Sequence, residues 1–166
     1  MATPALAQQP LKYTLWVDGL VNPQLAKSSL YFLGTGLRAE VARPLNGSRN
    51  ALFVQAGYAH FFQKSTSAFT ATIGLVQMGY HYQSQKAFGA TVGVGAQYWS
   101  ERMRVRFTDY SLDETFRNII PSATVGITFR VRSHYVLGLE NRVLIKPESG
   151  ATTIRNNIAF SVGYTF

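Results

Sequence analysis

The sequence predicts an all-β fold, an eight-stranded antiparallel up-and-down transmembrane β-barrel. Apolar and polar residues alternate with a period of two along most of the 166 residues, which indicates strands with two unlike faces. Only 14% of the residues are charged, against roughly 25% in an average soluble domain. Short and longer connections alternate along the chain, as they do in transmembrane barrels. We therefore expect one barrel domain over residues 12–166.

The first four strands are predicted from this alternation. In the fourth, the apolar row changes face midway along the strand. In that strand the apolar row from Phe69 to Leu75 and the row from Val76 to Tyr82 fall on opposite faces. Such a change indicates either a β-bulge near Leu75-Val76 or a half-strand that is apolar on both faces. The predicted bounds are 12–19, 30–45, 48–62 and 68–83.

The last four strands follow the same alternation without a change of parity. The fifth sets Val92 in an apolar row against glycine, threonine and glutamine, and the seventh sets Leu139 in an apolar row against Gly138, Glu140 and Arg142. No segment has a convincing helical period, and no linker divides the chain. The predicted bounds are 87–100, 122–131, 135–146 and 154 onward.

Three tight turns predict how neighbouring strands pair. Asn46-Gly47 is a strong two-residue hairpin signal, and Ser84-Gln85-Lys86 and Arg132-Ser133-His134 are also short. Each turn places apolar residues opposite apolar residues, as a common face requires. The connections 20–29, 63–67, 101–121 and 147–153 look longer. The predicted pairs are Val41 with Leu52, Ala39 with Val54, Arg38 with Gln55, Tyr82 with Phe88, Met78 with Val92, His81 with Gly89, Val131 with Tyr135, Phe129 with Leu137 and Gly126 with Glu140.

The composition of the two faces predicts which one meets lipid. A soluble lipocalin-like binder, the alternative, would keep its apolar face inside and show Lys and Glu to water. Here the polar face is mostly small and neutral, which suits a narrow lumen, and it carries charges of both signs, Asp18 among them. We predict a lumen ion-pair network drawn from Arg38, Glu40, Arg130, Glu140 and Arg142.

The end of the chain, Asn156–Phe166, carries a specific pattern: an apolar alternation with Tyr164 third from the end and Phe166 last. This segment resembles the C-terminal signal strand of bacterial outer-membrane barrels. The whole chain resembles the small eight-stranded members, such as the OmpA transmembrane domain and the OmpX/Ail group. The resemblance implies a Gram-negative outer membrane with both termini periplasmic. It also implies that the barrel-assembly machinery recognises Phe160, Val162, Tyr164 and Phe166.

The N-terminal segment, residues 1–11, is expected to be the remainder of an export signal. Ala5-Leu6-Ala7 resembles the small-residue cleavage site of a secretory signal peptide. The basic and apolar regions that should precede such a site are missing. An accidental alanine-rich tail therefore remains the alternative.

Catalytic and cofactor sites are not predicted. The chain has no cysteine, and its three histidines lack metal-ligand spacing, so we expect no metal and no cofactor. Some eight-stranded barrels modify lipid A through Ser and His at the outer rim. His60 with Ser65 or Ser67 is the one rim candidate here, and histidines of the lumen and the membrane interface are the simpler interpretation.

The segment Ser100–Asn118 is predicted to be a hairpin that continues strands five and six beyond the membrane, with its tip near residues 110–113. Arg102, Arg104 and Arg106 alternate in it with apolar residues, and acidic residues follow. Two interpretations are open. The acids neutralise the arginines in a solvated hairpin, or the arginines contact lipopolysaccharide phosphates or a protein partner.

The sequence favours a structural or adhesive role, or that of a subunit of a larger envelope complex, over transport or catalysis. Eight strands leave an interior that side chains fill, so a diffusion porin is not expected. The net charge of +8 suggests anionic partners, namely outer-membrane lipids and lipopolysaccharide. Nucleic acid is not predicted as a partner, because the basic residues are spread over the lumen, rims and loops.

Overall fold

The computed structural model describes residues 10–22, 31–45, 49–63, 69–84, 87–106, 111–148 and 151–166. Within these residues eight antiparallel strands each pair with the next, and β8 pairs with β1, so the sheet closes into a barrel as predicted. No helix among them is long and apolar enough to cross a membrane. The strands are β1 Lys12–Val21, β2 Tyr31–Pro44, β3 Ala51–Gln63, β4 Phe69–Gln83, β5 Phe88–Arg106, β6 Ser111–Arg130, β7 Tyr135–Glu148 and β8 Ala151–Thr165.

Two hairpins extend well beyond the predicted strand bounds, and for one of them the sequence predicted the extension. β5 and β6 pair as far as Arg106 with Ser111, and β7 and β8 as far as Glu148 with Ala151. The prediction that strands five and six continue as a hairpin over Ser100–Asn118 is therefore confirmed. Its predicted tip near residues 110–113 is wrong, because Asp113 pairs with Arg104 inside the ladder. The longer connection predicted over 147–153 is also wrong, because most of it is paired strand. In the β5 extension the alternation continues with the faces exchanged, because Arg102 and Arg104 point outward and Met103 and Val105 inward.

The predicted register is correct for one turn and shifted by two residues for the other two. Phe129 pairs with Leu137 as expected. Val41, however, pairs with Val54 instead of Leu52, and Met78 pairs with Val94 instead of Val92. The amide of Leu45 donates to the carbonyl of Asn50 at 2.8 Å, so the β2–β3 turn is longer than two residues. Since side chains alternate with period two, a two-residue shift preserves every face and the pattern cannot detect it.

β4 contains no bulge, because its pairing with β5 runs without interruption from Phe69 to Gln83. Ala71, Ile73 and Leu75 are buried on the inward face. Neither predicted explanation of the parity change holds, since the outward residues of this half are threonine and glycine. The inward face of β4 is simply apolar at its loop end and polar further down.

The outward face is apolar and exposed. Leu15, Val76 and Val92 are 53–60% exposed in the middle of their strands. Aromatic side chains gather where the strands meet the short turns, as in the interfacial girdles of transmembrane barrels. A soluble protein rarely leaves so continuous an apolar surface in water. The girdle residues are Tyr13, Tyr82, Phe88, Phe129, Tyr135, Tyr164 and Phe166.

Candidate functional site

An apolar layer closes the lumen at its loop end. The aromatic rings of Phe61 and Trp99 stack with centroids 6.1 Å apart, and both side chains are almost fully buried. Sequence reasoning missed this layer, although Phe61 and Trp99 stand on the inward parity of their strands and the parity change in β4 was its signal. The layer consists of Leu20, Ala59, Phe61, Ala71, Ile73, Trp99, Ile120, Leu144 and Ala159.

The middle of the lumen holds a charge-neutral ion-pair network, the central network. The Nε of Arg38 donates to Asp18 at 2.7 Å, and its Nη1 donates to Glu140 at 3.0 Å. Arg142 donates to the same two carboxylates, both at 3.0 Å. Ser161 donates to Asp18 and accepts from Arg38. The charges of two guanidinium groups and two carboxylates thus cancel in a buried space. Buried charges require such pairing.

Side chains pack closely around the central network in the described part of the barrel. Gly57 faces Arg38 across the β2–β3 pair, and a Cβ at Gly57 would meet the Cγ of Arg38. The Arg38 guanidinium also lies 5.4 Å from the centroid of the Trp16 ring. A void of about 10 Å³ adjoins Asp18 and Arg38, room for one water molecule at most.

The remaining predicted network residues lie nearer the short turns. The Oε1 of Glu40 lies 3.1 Å from the Nε2 of His81, whose Nδ1 is 2.8 Å from the hydroxyl of Thr91. The His81 ring stacks on Phe53 at 4.3 Å. Arg130 donates to Gln83 at 3.1 Å, and its contacts among the described residues include no carboxylate. The five predicted residues therefore divide between the central network and this lower layer.

Above the barrel, the outward face of the β5–β6 hairpin is basic. Arg102 makes a bidentate pair with Asp113 at 2.6 and 2.8 Å, and Arg104 donates to the same carboxylate at 3.2 Å. The hydrogen bonds from Arg102 are the largest cause that lowers the pKa of Asp113 from 3.8 to about 2. Arg117, exposed on this face, was not singled out from the sequence. Arg106 ends β5, and its side chain lies outside the described part of the structure.

An ion pair bridges two strands at the loop end of the barrel. The Nη1 of Arg155 lies 3.3 Å from the Oε1 of Glu101, joining β8 to β5, and both side chains are mostly buried. The alternation alone could not indicate this pair, because the two residues are far apart in sequence and on strands that do not pair with each other.

The rim histidine forms no catalytic array among the residues that can be described. The Nδ1 of His60 lies 3.3 Å from the Thr72 hydroxyl, and its ring meets Phe62 edge-on. Ser65 and Ser67 lie outside the described residues. Within the described ranges, no group of three His, Asp or Glu side chains is placed to hold a metal ion.

The terminal strand completes the barrel. Phe160 and Val162 are exposed in the outward row of β8, where Val162 pairs with Val17. The amide of Phe166 donates to the carbonyl of Tyr13 at 2.9 Å, and its ring meets Tyr164 edge-on at 5.0 Å. Residues 1–9, most of the expected export-signal remainder, lie outside the described residues.

Solved structures share this fold at low sequence identity. The N-terminal β-barrel domain of Pseudomonas aeruginosa OprF has a TM-score of 0.63 and 9% identity, over 93% of this chain and 97% of that one. Neisserial surface protein A gives 0.55 and 12%, over 93% and 94%. Ail of Yersinia pestis gives 0.57 and 12%, over 94% and 96%. No family model and no curated protein matches the chain.

Proposed function

We propose that this chain, which has the fold of the eight-stranded outer-membrane barrels, is a non-enzymatic barrel of a Gram-negative outer membrane that contacts lipopolysaccharide through its β5–β6 hairpin. The observation that carries the proposal is the basic outward face of that hairpin. Arg102 and Arg104 stand on the same face as Tyr98, the last aromatic residue of the outward row of β5. At roughly 3.3 Å per residue, Arg102 lies about 13 Å beyond Tyr98 along the strand.

This position suits phosphate groups at the membrane surface. Arg102, Arg104 and Arg117 are all exposed on the outward face, and among the described residues of the hairpin Asp113 supplies the one neighbouring negative charge there. Three guanidinium groups against one carboxylate leave a positive excess. Guanidinium groups bind phosphate oxygens in bidentate geometry, so a lipid with several phosphates is a fitting ligand. The structure of Ail with the heparin analogue sucrose octasulfate is a precedent for a polyanion on a barrel of this fold.

The lumen supports a role other than transport or the storage of a lipocalin-type ligand. The apolar layer and the central network fill its loop end and its middle, where a lipocalin-like binder would need a cavity. The exposed apolar exterior also argues against a soluble binder. We therefore infer a structural or adhesive barrel, or an envelope-complex subunit, with both termini periplasmic. The barrel-assembly machinery would recognise the row Phe160, Val162, Tyr164 and Phe166.

Lipopolysaccharide retention tests the proposal. The wild-type protein, refolded in bilayers that contain lipopolysaccharide, should retain bound lipopolysaccharide by native mass spectrometry after transfer to mild detergent. The double variant R102Q/R104Q should lose most of it. The control R43Q/R132Q removes two exposed arginines from the opposite end of the barrel and should behave as wild type.

A third variant separates binding from hairpin structure. D113N frees Arg102 and Arg104 from their shared carboxylate, so retention of lipopolysaccharide should be equal to or greater than that of wild type. Equal loss in R102Q/R104Q and in the opposite-end control would contradict the proposal. So would loss in D113N, since the arginines would then serve only to hold the hairpin.

A further inference from the structure

A polar cavity of about 80 Å³ lies in the lumen at the short-turn end, far from the β5–β6 hairpin. Its walls come from the ends of most strands and include Lys12, Trp16, Glu40 and Arg130, with Arg49 from the β2–β3 turn region. A water molecule occupies roughly 30 Å³ in the liquid, so the cavity has room for two or three waters or one small ion. The proposed contact with lipopolysaccharide does not use it.

The charge around this cavity is unbalanced. Lys12, Arg49 and Arg130 contribute three positive charges, and none of them forms an ion pair among the described residues. The one carboxylate among the described lining residues, Glu40, is held by His81 at 3.1 Å. In the central network, in contrast, Arg38 and Arg142 each contact two carboxylates. The lower cavity thus carries the positive excess that the middle of the lumen avoids.

Two side chains that line the cavity each carry a buried hydrogen-bond donor without a partner among the described residues. The Trp16 side chain is only 4% exposed, and its indole Nε1 makes no hydrogen bond. Arg130 donates from Nη2 to Gln83, yet its Nε is buried without a partner. Buried donors without a partner also occur on Gln55 and Gln77, which do not line this cavity. The donors of Trp16 and Arg130 differ in belonging to the walls of a cavity with excess positive charge, where an anion suits both the charge and the donors.

We propose that this cavity binds a small soluble oxyanion with a phosphate-like group. Arg130 supplies the charge and the planar donor set at the wall, and Trp16 supplies an indole N–H on the lumen side. Lys12 and Arg49 at the rim attract the ion from the aqueous side by long-range electrostatics. The lumen wall separates the cavity from lipid headgroups outside the barrel, which favours a soluble anion over a phospholipid.

Phosphate titration by NMR tests the site. The protein, ¹⁵N-labelled and refolded in a neutral detergent, contains two tryptophans, and W16F identifies which indole signal belongs to Trp16. Inorganic phosphate at constant ionic strength should shift the Trp16 indole signal with a saturable curve. The indole of Trp99, which donates to Gln97 near the apolar layer, should stay in place. Glycerol, a neutral ligand of similar size, should give no saturable shift.

Substitutions at the cavity complete the test. R130Q should weaken phosphate binding at least tenfold, whereas R132Q, which removes an exposed arginine from the next turn, should bind as wild type. If heat-modifiable gel migration shows that R130Q does not fold, R130K should still weaken binding severalfold, because lysine lacks the Nε donor and the planar fork. A linear shift, an equal movement of both indoles, saturation by glycerol, or wild-type affinity in the Arg130 variants would overturn the proposal.

Discussion

Arg38 shows how a single buried residue organises this barrel. Its guanidinium contacts Asp18, Glu140, Gln55 and Ser161, so four other strands meet at one side chain. Removing one partner from a buried ion pair typically costs about 3–5 kcal/mol, because the remaining charge stays buried and unpaired. We therefore expect the loss of one member of the central network to destabilise the barrel.

Arg38→Gln should accordingly lower the free energy of unfolding by about 3–5 kcal/mol, since Asp18 and Glu140 each lose a cation. Urea titration of the refolded protein in bilayers, followed by heat-modifiable gel migration, measures the change. Arg104→Gln, at an exposed position on the hairpin, is the matched control and should shift the midpoint little. Equal small effects in the two variants would mean that the central network does not hold the strands together.

The Asp113 carboxylate should make the stability of the β5–β6 hairpin depend on pH. Its pKa is about 2 in the folded protein, against 3.8 ordinarily, chiefly because Arg102 donates two hydrogen bonds to it. Because the folded pKa is depressed, the stabilisation is fully present above about pH 3.8 and is lost as pH falls through about 2.

Carboxyl ¹³C NMR of Asp113 checks this expectation. The wild-type titration should have its midpoint at about 2, and R102Q should move the midpoint upward towards 3.8. R104Q removes a single longer contact and should move it less. A wild-type midpoint near 3.8 would show that the Arg102–Asp113 pair is not formed in solution.

At the scale of the strand, the assignment of the barrel to a membrane rests on the apolar outward rows. Val92 on β5 and Leu139 on β7 are exposed in the apolar band. An arginine at the bilayer midplane of a transmembrane barrel costs about 2–4 kcal/mol. Val92→Arg and Leu139→Arg should each destabilise the barrel in bilayers by that amount, measured by urea titration. Ser133→Arg, in the exposed β6–β7 turn, should be nearly neutral, and similar values at all three positions would contradict the lipid-facing assignment.

A substitution in the terminal strand can distinguish the stability of the folded barrel from its assembly in cells. Phe166 is 67% exposed, so Phe166→Ala should cost only about 1–2 kcal/mol of stability and still refold in detergent. If the barrel-assembly machinery reads the terminal row, the same variant should accumulate poorly in the outer membrane of cells. Phe116→Ala, at an exposed phenylalanine of the hairpin, should accumulate normally. Normal accumulation of the Phe166 variant would reject the signal, and failure to refold would make Phe166 structural.

Strand faces were predictable from the sequence, and the contacts between strands mostly were not. Alternation placed Arg38, Glu140 and Arg142 on the inward face, but inward position does not fix the height of a residue along the barrel. Arg130 is inward as well, yet it lies at the short-turn end beside Gln83, beyond reach of the central network. The height of a residue along the barrel depends on the strand register, and the register depends on the turn length. The alternation cannot distinguish registers that differ by two residues, because both place every side chain on the same face.

For the whole molecule, the lumen has three levels that the composition could not reveal. The apolar layer, the central network and the cationic cavity follow one another from the loop end to the short turns. The sequence indicated a small, polar interior because glycine, serine and threonine dominate the inward parity. Trp99 and Phe61 also stand at inward positions. The small inward residues leave the space that these two large side chains fill.

The central claim is that the apolar rows face lipid and the lumen is closed. The chain has no cysteine, so single cysteines at Val92, Leu139 and, as an aqueous control, Ser133 accept nitroxide spin labels without background. Power-saturation EPR in bilayers then compares collision with oxygen, which concentrates in lipid, and with a water-soluble nickel chelate. Labels at Val92 and Leu139 should be accessible to oxygen and protected from the nickel chelate. The label at Ser133 should instead be accessible to the nickel chelate and collide less with oxygen. Nickel accessibility at Val92 and Leu139 equal to that at Ser133 would contradict the membrane-spanning barrel.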